Sequence, residues 1–167
     1  MAAPRILVLM GPAGAGKTTV GVLLAKSLGW RFLDADDFHS AERIDRMHRG
    51  IPLTDAERAP WLRAIRDALR DLLAGGVNVV LACSALKEKY RKALVPKTAA
   101  GDVRFVYLRA AESELRQRLT HRSGHYAGPE LLASQLETLE EPRDALWVDA
   151  SREPSEIADE IRRELGL

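Results

Sequence analysis

The run Gly11-Pro12-Ala13-Gly14-Ala15-Gly16-Lys17-Thr18 matches the pattern G-x-x-x-x-G-K-[ST] and limits the possible folds more than any other feature of the chain. It follows the apolar run Ile6 to Met10 and precedes a stretch of helical period, Thr19 to Leu28, closed by Gly29. A strand that feeds a glycine-rich turn and then a helix is a phosphate-binding context. Glycines let the backbone turn its N–H groups inward, and a helix beginning at Lys17 adds the positive end of its dipole. Lys17 can then reach the β- and γ-phosphates of ATP as a point charge, while the Thr18 hydroxyl is placed to ligate Mg²⁺. Residues Gly11 to Thr19 are the expected nucleotide site.

Elsewhere, apolar runs of strand length alternate with stretches of helical period, which predicts an α/β chain with a parallel sheet and crossover helices. Five strands are expected, at Arg5–Met10, Arg31–Asp34, Val77–Ala82, Val103–Leu108 and Leu146–Val148. Trp61, Leu62, Ile65, Ala68, Leu69, Leu72 and Leu73 fall on one helical face that ends at Gly75-Gly76. Further helices are expected at Glu112–Leu119 and Pro154–Leu165, the last with proline in its first turn. A chain of 167 residues suffices for one domain, 1–167, with helices on both faces of the sheet. Arg122 to Pro129, with two glycines and a proline, gives the best candidate for a mobile loop, and a lid is expected at about 118–130.

Composition narrows the partners. The 25 Lys plus Arg nearly cancel the 24 Asp plus Glu, leaving a net charge of +1 and no basic tail to gather on nucleic acid. Ile6 to Met10 is too short to span a bilayer, so no membrane partner is expected. The single cysteine, Cys83, precludes an intramolecular disulfide and favours a reducing, cytoplasmic setting; it reads as a small core residue.

The acidic residues separate the classes of phosphate-loop protein. A regulatory GTPase would carry Asn-Lys-x-Asp, yet the only asparagine is Asn78, followed by valine. Motor ATPases usually end another strand in an aspartate, whereas Val77–Ala82 runs into Cys83-Ser84. Instead Asp34, Asp36 and Asp37 cluster at the C-terminal end of the second strand, the edge where open α/β sheets bind ligands. That arrangement resembles small-metabolite kinases such as shikimate kinase, in which one aspartate orders Mg²⁺ and the other orients the acceptor hydroxyl. Arg118 and Arg122, four apart on one helical face, resemble the lid arginines of the same group. The resemblance implies that Arg118 stacks on adenine, that Arg122 contacts the transferring phosphoryl group, and that the loop Asp149 to Pro154 lies beside the adenine.

Longer stretches resemble the gluconokinase family and cover most of the chain. Asp34-Ala-Asp-Asp-Phe-His39 leads to Gly50-Ile-Pro-Leu-Thr-Asp55, then Arg58-Ala-Pro-Trp-Leu62, then Ala82-Cys-Ser-Ala-Leu-Lys87 with Tyr90-Arg91. Arg122-Ser-Gly-His125, Leu131 to Gln135 and Thr138 to Glu140 complete the series. Where the family usually has Asn and Lys, this chain carries Arg43 and Arg46. The resemblance implies a three-layer α/β/α kinase with a mobile lid that phosphorylates D-gluconate at C6 with ATP and Mg²⁺, and family members are often homodimers.

By this reading the catalytic residues are Lys17, Asp36 and Arg122. Thr18 and Asp34 hold the metal. Gly11 to Thr19, Arg118 and Pro154 bind ATP. The acceptor site draws on Asp36, His39, Arg46, Arg58, Ser84, Lys87, Arg91 and His125, because a linear polyol acid needs cations at one end and hydroxyl partners along its length. Trp61 is expected to pack in the core. Two rivals share the phosphate loop: a kinase for another small acceptor, and a nucleotide-binding module that switches a partner without turnover.

Overall fold

The computed structural model describes residues 3–121 and 129–167, and the side chains of His48 and Pro129 lie outside that description. All five strands pair in parallel in the order β2-β3-β1-β4-β5: β1 Ile6–Met10, β2 Arg31–Asp34, β3 Val79–Ala82, β4 Val103–Arg109 and β5 Leu146–Asp149. The expected α/β class and strand set hold, apart from end shifts of one or two residues. Central position explains the unbroken apolar runs. Every residue of β1 and β3 is buried, because a parallel sheet covered on both faces has no solvent side.

The alternation along β1 assigns the helices to two layers. Ile6, Val8 and Met10 pack in one core with Ile65, Leu69 and Leu94, from α3 (Asp55–Ala74) and α4 (Glu88–Leu94). Leu7 and Leu9 face a second core with Leu24, Leu115, Leu132 and Ile161. Those come from α1 (Lys17–Leu28), α5 (Glu112–Thr120), α6 (Pro129–Thr138) and α7 (Pro154–Leu165). The period-two face switch of a strand thus sorts each helix to one side. The short α2 (Ala41–His48), which the sequence pattern did not announce, follows a 3₁₀ turn at Ala35–Phe38. No helix among the described residues is long and apolar enough to cross a membrane.

α3 has the clearest local instructions. Thr54 accepts from the Glu57 backbone N–H, and the Glu57 carboxylate returns to the Thr54 N–H, so the helix start is capped from both directions. That fixes the entry of the helix carrying Arg58 and Trp61 toward the sheet edge.

The turn after β1 is equally specified. Gly11 has φ +146°, and a Cβ there would sit 2.9 Å from the Leu108 carbonyl oxygen. Only glycine lets β1 enter the loop while β4 stays paired beside it. On α1, Gly21 faces β2, where a Cβ would fall 2.5 Å from Phe32 Cε1. Gly21→Ala therefore sets about 1 kcal/mol of helix propensity against overpacking of about 1–3 kcal/mol. The melting temperature should drop by a few degrees, and further in Gly21→Val; a rise in both would show that the Phe32 ring yields freely.

Candidate active site

The C-terminal ends of β1, β2 and β3 open into one cleft of about 590 Å³. Into it the fold brings Gly14, Gly16, Lys17, Thr18 and Thr19 from the loop and α1. Asp34, Asp36, His39, Arg58 and Ser84 line the same space. Residues separated by up to 70 positions are gathered because parallel strands deliver all their C-terminal ends to one edge.

At the phosphate end, Lys17 Nζ donates to the carbonyls of Gly11 (2.9 Å) and Pro12 (3.0 Å), which folds the ammonium back over the loop. The Thr18 hydroxyl donates to Asp34 Oδ2 at 3.0 Å. Asp34 Oδ1 accepts the Asp36 N–H, also at 3.0 Å, and so caps the 3₁₀ turn. The two carboxylates reach one cleft through this turn rather than through strand alternation, since β2 ends at Asp34. A hydroxyl and a carboxylate in contact form a hard-oxygen donor pair that fits Mg²⁺, which takes few protein ligands and keeps phosphate and water oxygens for the rest. No group of three or more metal-ligating side chains occurs among the described residues.

Burial and the neighbouring Asp34 charge push the Asp36 carboxyl up to about 6; Lys17 opposes the shift and Asp37 adds to it. Farther along, the His39 ring stacks on Trp61, with centroids 4.2 Å apart and planes 13° from parallel. The Trp61 indole N–H is spent on the Ala35 carbonyl at 2.8 Å, so this ring is mainly a floor for the turn. Burial, with the charges of Arg43 and Arg58, lowers His39 to about 4, so its ring is neutral near pH 7. Its Nδ1 is buried without a hydrogen-bond partner among the described residues.

Several expected site residues work elsewhere. Arg91 is buried, at 8% exposed, unlike a solvated helical cation, and its guanidinium donates to the carbonyls of Ala85 (2.8 Å) and Glu140 (3.0 Å). It braces the loop after β3, where Ala85 holds φ +46°. Arg46 pairs with Glu57. Lys87 precedes α4 and lies outside the cleft lining, with Nζ 5.8 Å from the Tyr90 ring centroid. Arg118 joins the Gly14 carbonyl (3.0 Å) to the Ala150 carbonyl (2.5 Å) and pairs with Glu114, so it ties the phosphate loop to the segment before Pro154. Arg122 and His125 lie outside the described residues, as does most of the expected lid. Cys83 is buried, and burial pushes its thiol up to about 12, as suits a core residue.

Two contacts had no single-residue signal in the sequence. Gln135 Oε1 accepts the Ala13 N–H at 2.7 Å, which places α6 against the phosphate loop. Asp55 and Tyr90 meet across α3 and α4 at 2.5 Å. All four residues lie inside the quoted motifs; only the fold shows what they touch.

Residues 6–153 match a family model described as an AAA domain. A gluconokinase of Gluconobacter oxydans is 43% identical over 166 residues, covering 96% of this chain and 90% of that protein. A probable gluconokinase of Mus musculus is 45% identical, covering 85% of each. The crystal structure of a gluconokinase from Sinorhizobium meliloti superposes with a TM-score of 0.85 at 41% identity, over 99% of this chain and 94% of that one.

The raised Asp36 carboxyl has a consequence for stability. A carboxyl held at about 6 when folded, against 3.8 when unfolded, keeps its proton better in the native state. Its contribution is therefore full below about pH 4 and is lost as the pH rises through 6. Asp36→Asn should raise the melting temperature by a few degrees at pH 7.5, and the gain should vanish below pH 4. An equal gain at both pH values, or none at pH 7.5, would show that the site does not strain this carboxylate.

Proposed function

Because this chain belongs to the gluconokinase family, we propose that it transfers the γ-phosphoryl group of ATP to the C6 hydroxyl of D-gluconate, giving 6-phospho-D-gluconate and ADP. The observation that carries this reading is a cleft lined together by the phosphate-loop residues Gly14, Gly16, Lys17 and Thr18, by Asp34 and Asp36, and by His39, Ser84 and Arg58.

Phosphoryl transfer passes through a loose transition state, so placement and charge stabilisation matter more than covalent chemistry. Asp36 orients the acceptor hydroxyl and takes its proton late in the transfer. A carboxyl near 6 suits that task better than an ordinary one, because it is ionised at neutral pH yet more basic. Lys17 stabilises charge on the β- and γ-phosphates, and the loop N–H groups do so at the start of α1. Thr18 and Asp34 would hold Mg²⁺, which supplies further neutralisation of the phosphates when bound. Arg122 completes the phosphoryl site by analogy with lid arginines, and His125 joins the acceptor side. Arg118 and Pro154 sit on the adenine side, the former as the link between Gly14 and Ala150. A cytoplasmic setting belongs to the same reading, supported by a lone, buried thiol.

A coupled ADP-release assay decides the acceptor. The specificity constant for gluconate should exceed those for glucose and shikimate by about ten-fold to a hundred-fold, the value of one charged hydrogen bond. Equal or better use of either competitor overturns the reading. The pH profile of kcat/KM should fall on the acid side through a limb near 6, set by Asp36. Asp36→Asn should abolish that limb and lower turnover by roughly 10²-fold; a limb that persists in the variant would remove Asp36 from the proton transfer.

A further inference from the structure

Four cations were candidates for the acceptor's carboxylate, and among the described residues the fold turns only one of them into the cleft. Arg91 is spent on two backbone carbonyls, Arg46 on Glu57, and Lys87 lies outside the lining. Arg58 lines the cleft with its side chain 24% exposed.

Arg58 is also held from behind. Its Nη1 donates to the Tyr90 hydroxyl at 3.0 Å, and that hydroxyl donates its own proton to Asp55 Oδ1 at 2.5 Å. The second Asp55 oxygen takes the Lys89 ammonium at 2.5 Å. The guanidinium carbon lies 5.2 Å from the Tyr90 ring centroid, so the ring supports the cation as well. We infer that Arg58 binds the carboxylate of the acceptor, with Tyr90 and Asp55 as the residues that position it. This rests on the gluconate reading and adds the residue that recognises the acid end.

Three observations support the assignment. The first is charge: Arg58, Lys89 and Lys87 surround Tyr90 while Asp55 is the one carboxylate in contact with the group, so the cluster keeps a positive excess that favours an anion. Hydrogen bonds from Lys89 and Tyr90 hold the Asp55 carboxyl down at about 2, so it remains the anionic brace across the working range. The second is valence. A guanidinium has five N–H donors, and among the described residues Arg58 is engaged through Nη1, which donates to the Tyr90 hydroxyl and pairs with Asp55 Oδ1 at 3.5 Å. The open donors suit a carboxylate, which accepts two parallel bonds from a planar fork.

The third is placement. Arg58 and Trp61 are three apart on α3, so they share a face; Trp61 stacks on His39, and His39 follows the turn that carries Asp36. The order along the cleft is then Asp36, the His39–Trp61 stack, and Arg58. An acid anchored on Arg58 extends its chain past His39 and brings its far hydroxyl, not one beside the carboxylate, to Asp36. The same arrangement therefore accounts for both the need for an acid and the choice of a terminal hydroxyl.

The test compares D-gluconate with D-glucitol, which replaces the carboxylate by a hydroxymethyl group, on the full chain. Arg58→Met should raise the gluconate KM by about ten-fold to a hundred-fold, leave the ATP KM unchanged, and narrow the preference for gluconate over glucitol. Tyr90→Phe keeps both ring and arginine but frees the guanidinium, and should raise the gluconate KM by about two-fold to ten-fold with kcat little changed. A merely structural role would instead lower kcat and weaken ATP along with both acceptors. Should Arg58→Met fold poorly, Arg58→Lys retains charge without the fork and should fall between wild type and Met. An active wild type whose gluconate KM and gluconate preference survive in the folded Arg58 variant overturns this subsite alone. A wild type that releases no ADP with gluconate overturns the family's substrate for this chain and the subsite with it.

Discussion

Everything in the site depends on how β1 ends. The strand is fully buried between β3 and β4, and the chain must leave it sharply enough to start α1 over the same edge. Gly11 makes that exit possible, because its φ of +146° and the Leu108 carbonyl leave no room for a side chain. The Gly11 N–H then donates to the Ser84 carbonyl at 3.2 Å, so the phosphate loop and the loop after β3 are fixed to each other. The two loops thus share one backbone joint.

The cationic side chains divide between structure and recognition. Arg91 and Arg118 each spend planar forks on backbone carbonyls, where they bind distant loops together: Ala85 to Glu140, and Gly14 to Ala150. A half-buried guanidinium suits such work because it stays charged and offers several donors in fixed directions. Arg46 does similar service through Glu57, whose carboxylate also caps α3. With those commitments made, Arg58 and Lys17 both line the cleft itself.

Asp36 is held where its charge works against stability. Burial, together with the neighbouring Asp34, is unfavourable for its charge and raises the carboxyl to about 6. His39 is perturbed in the opposite sense by burial and by Arg43 and Arg58, which keeps its ring neutral in the cleft. The stacked Trp61 and its bond to Ala35 hold the turn carrying both groups, so the strain is met by packing from α3.

The sequence by itself determined the parallel sheet, the phosphate loop and the acidic edge of β2. These depend on local period and on residue types that act where they stand: buried strands read as apolar runs, and glycine permits turns that no other residue allows. The motif series also carried the family, because its order along the chain is itself specific. Tertiary structure alone decided which arginine faces the cleft and which holds a loop. Arg91 and Arg58 read alike as helical cations, and their difference arises from partners up to 49 residues away, a Glu140 carbonyl for one and the Tyr90–Asp55 pair for the other. Gln135 meets Ala13 across 122 residues for the same reason. Periodicity shows which face a side chain takes, but a hydrogen bond needs both partners in place, and only the packed sheet and helices bring them together.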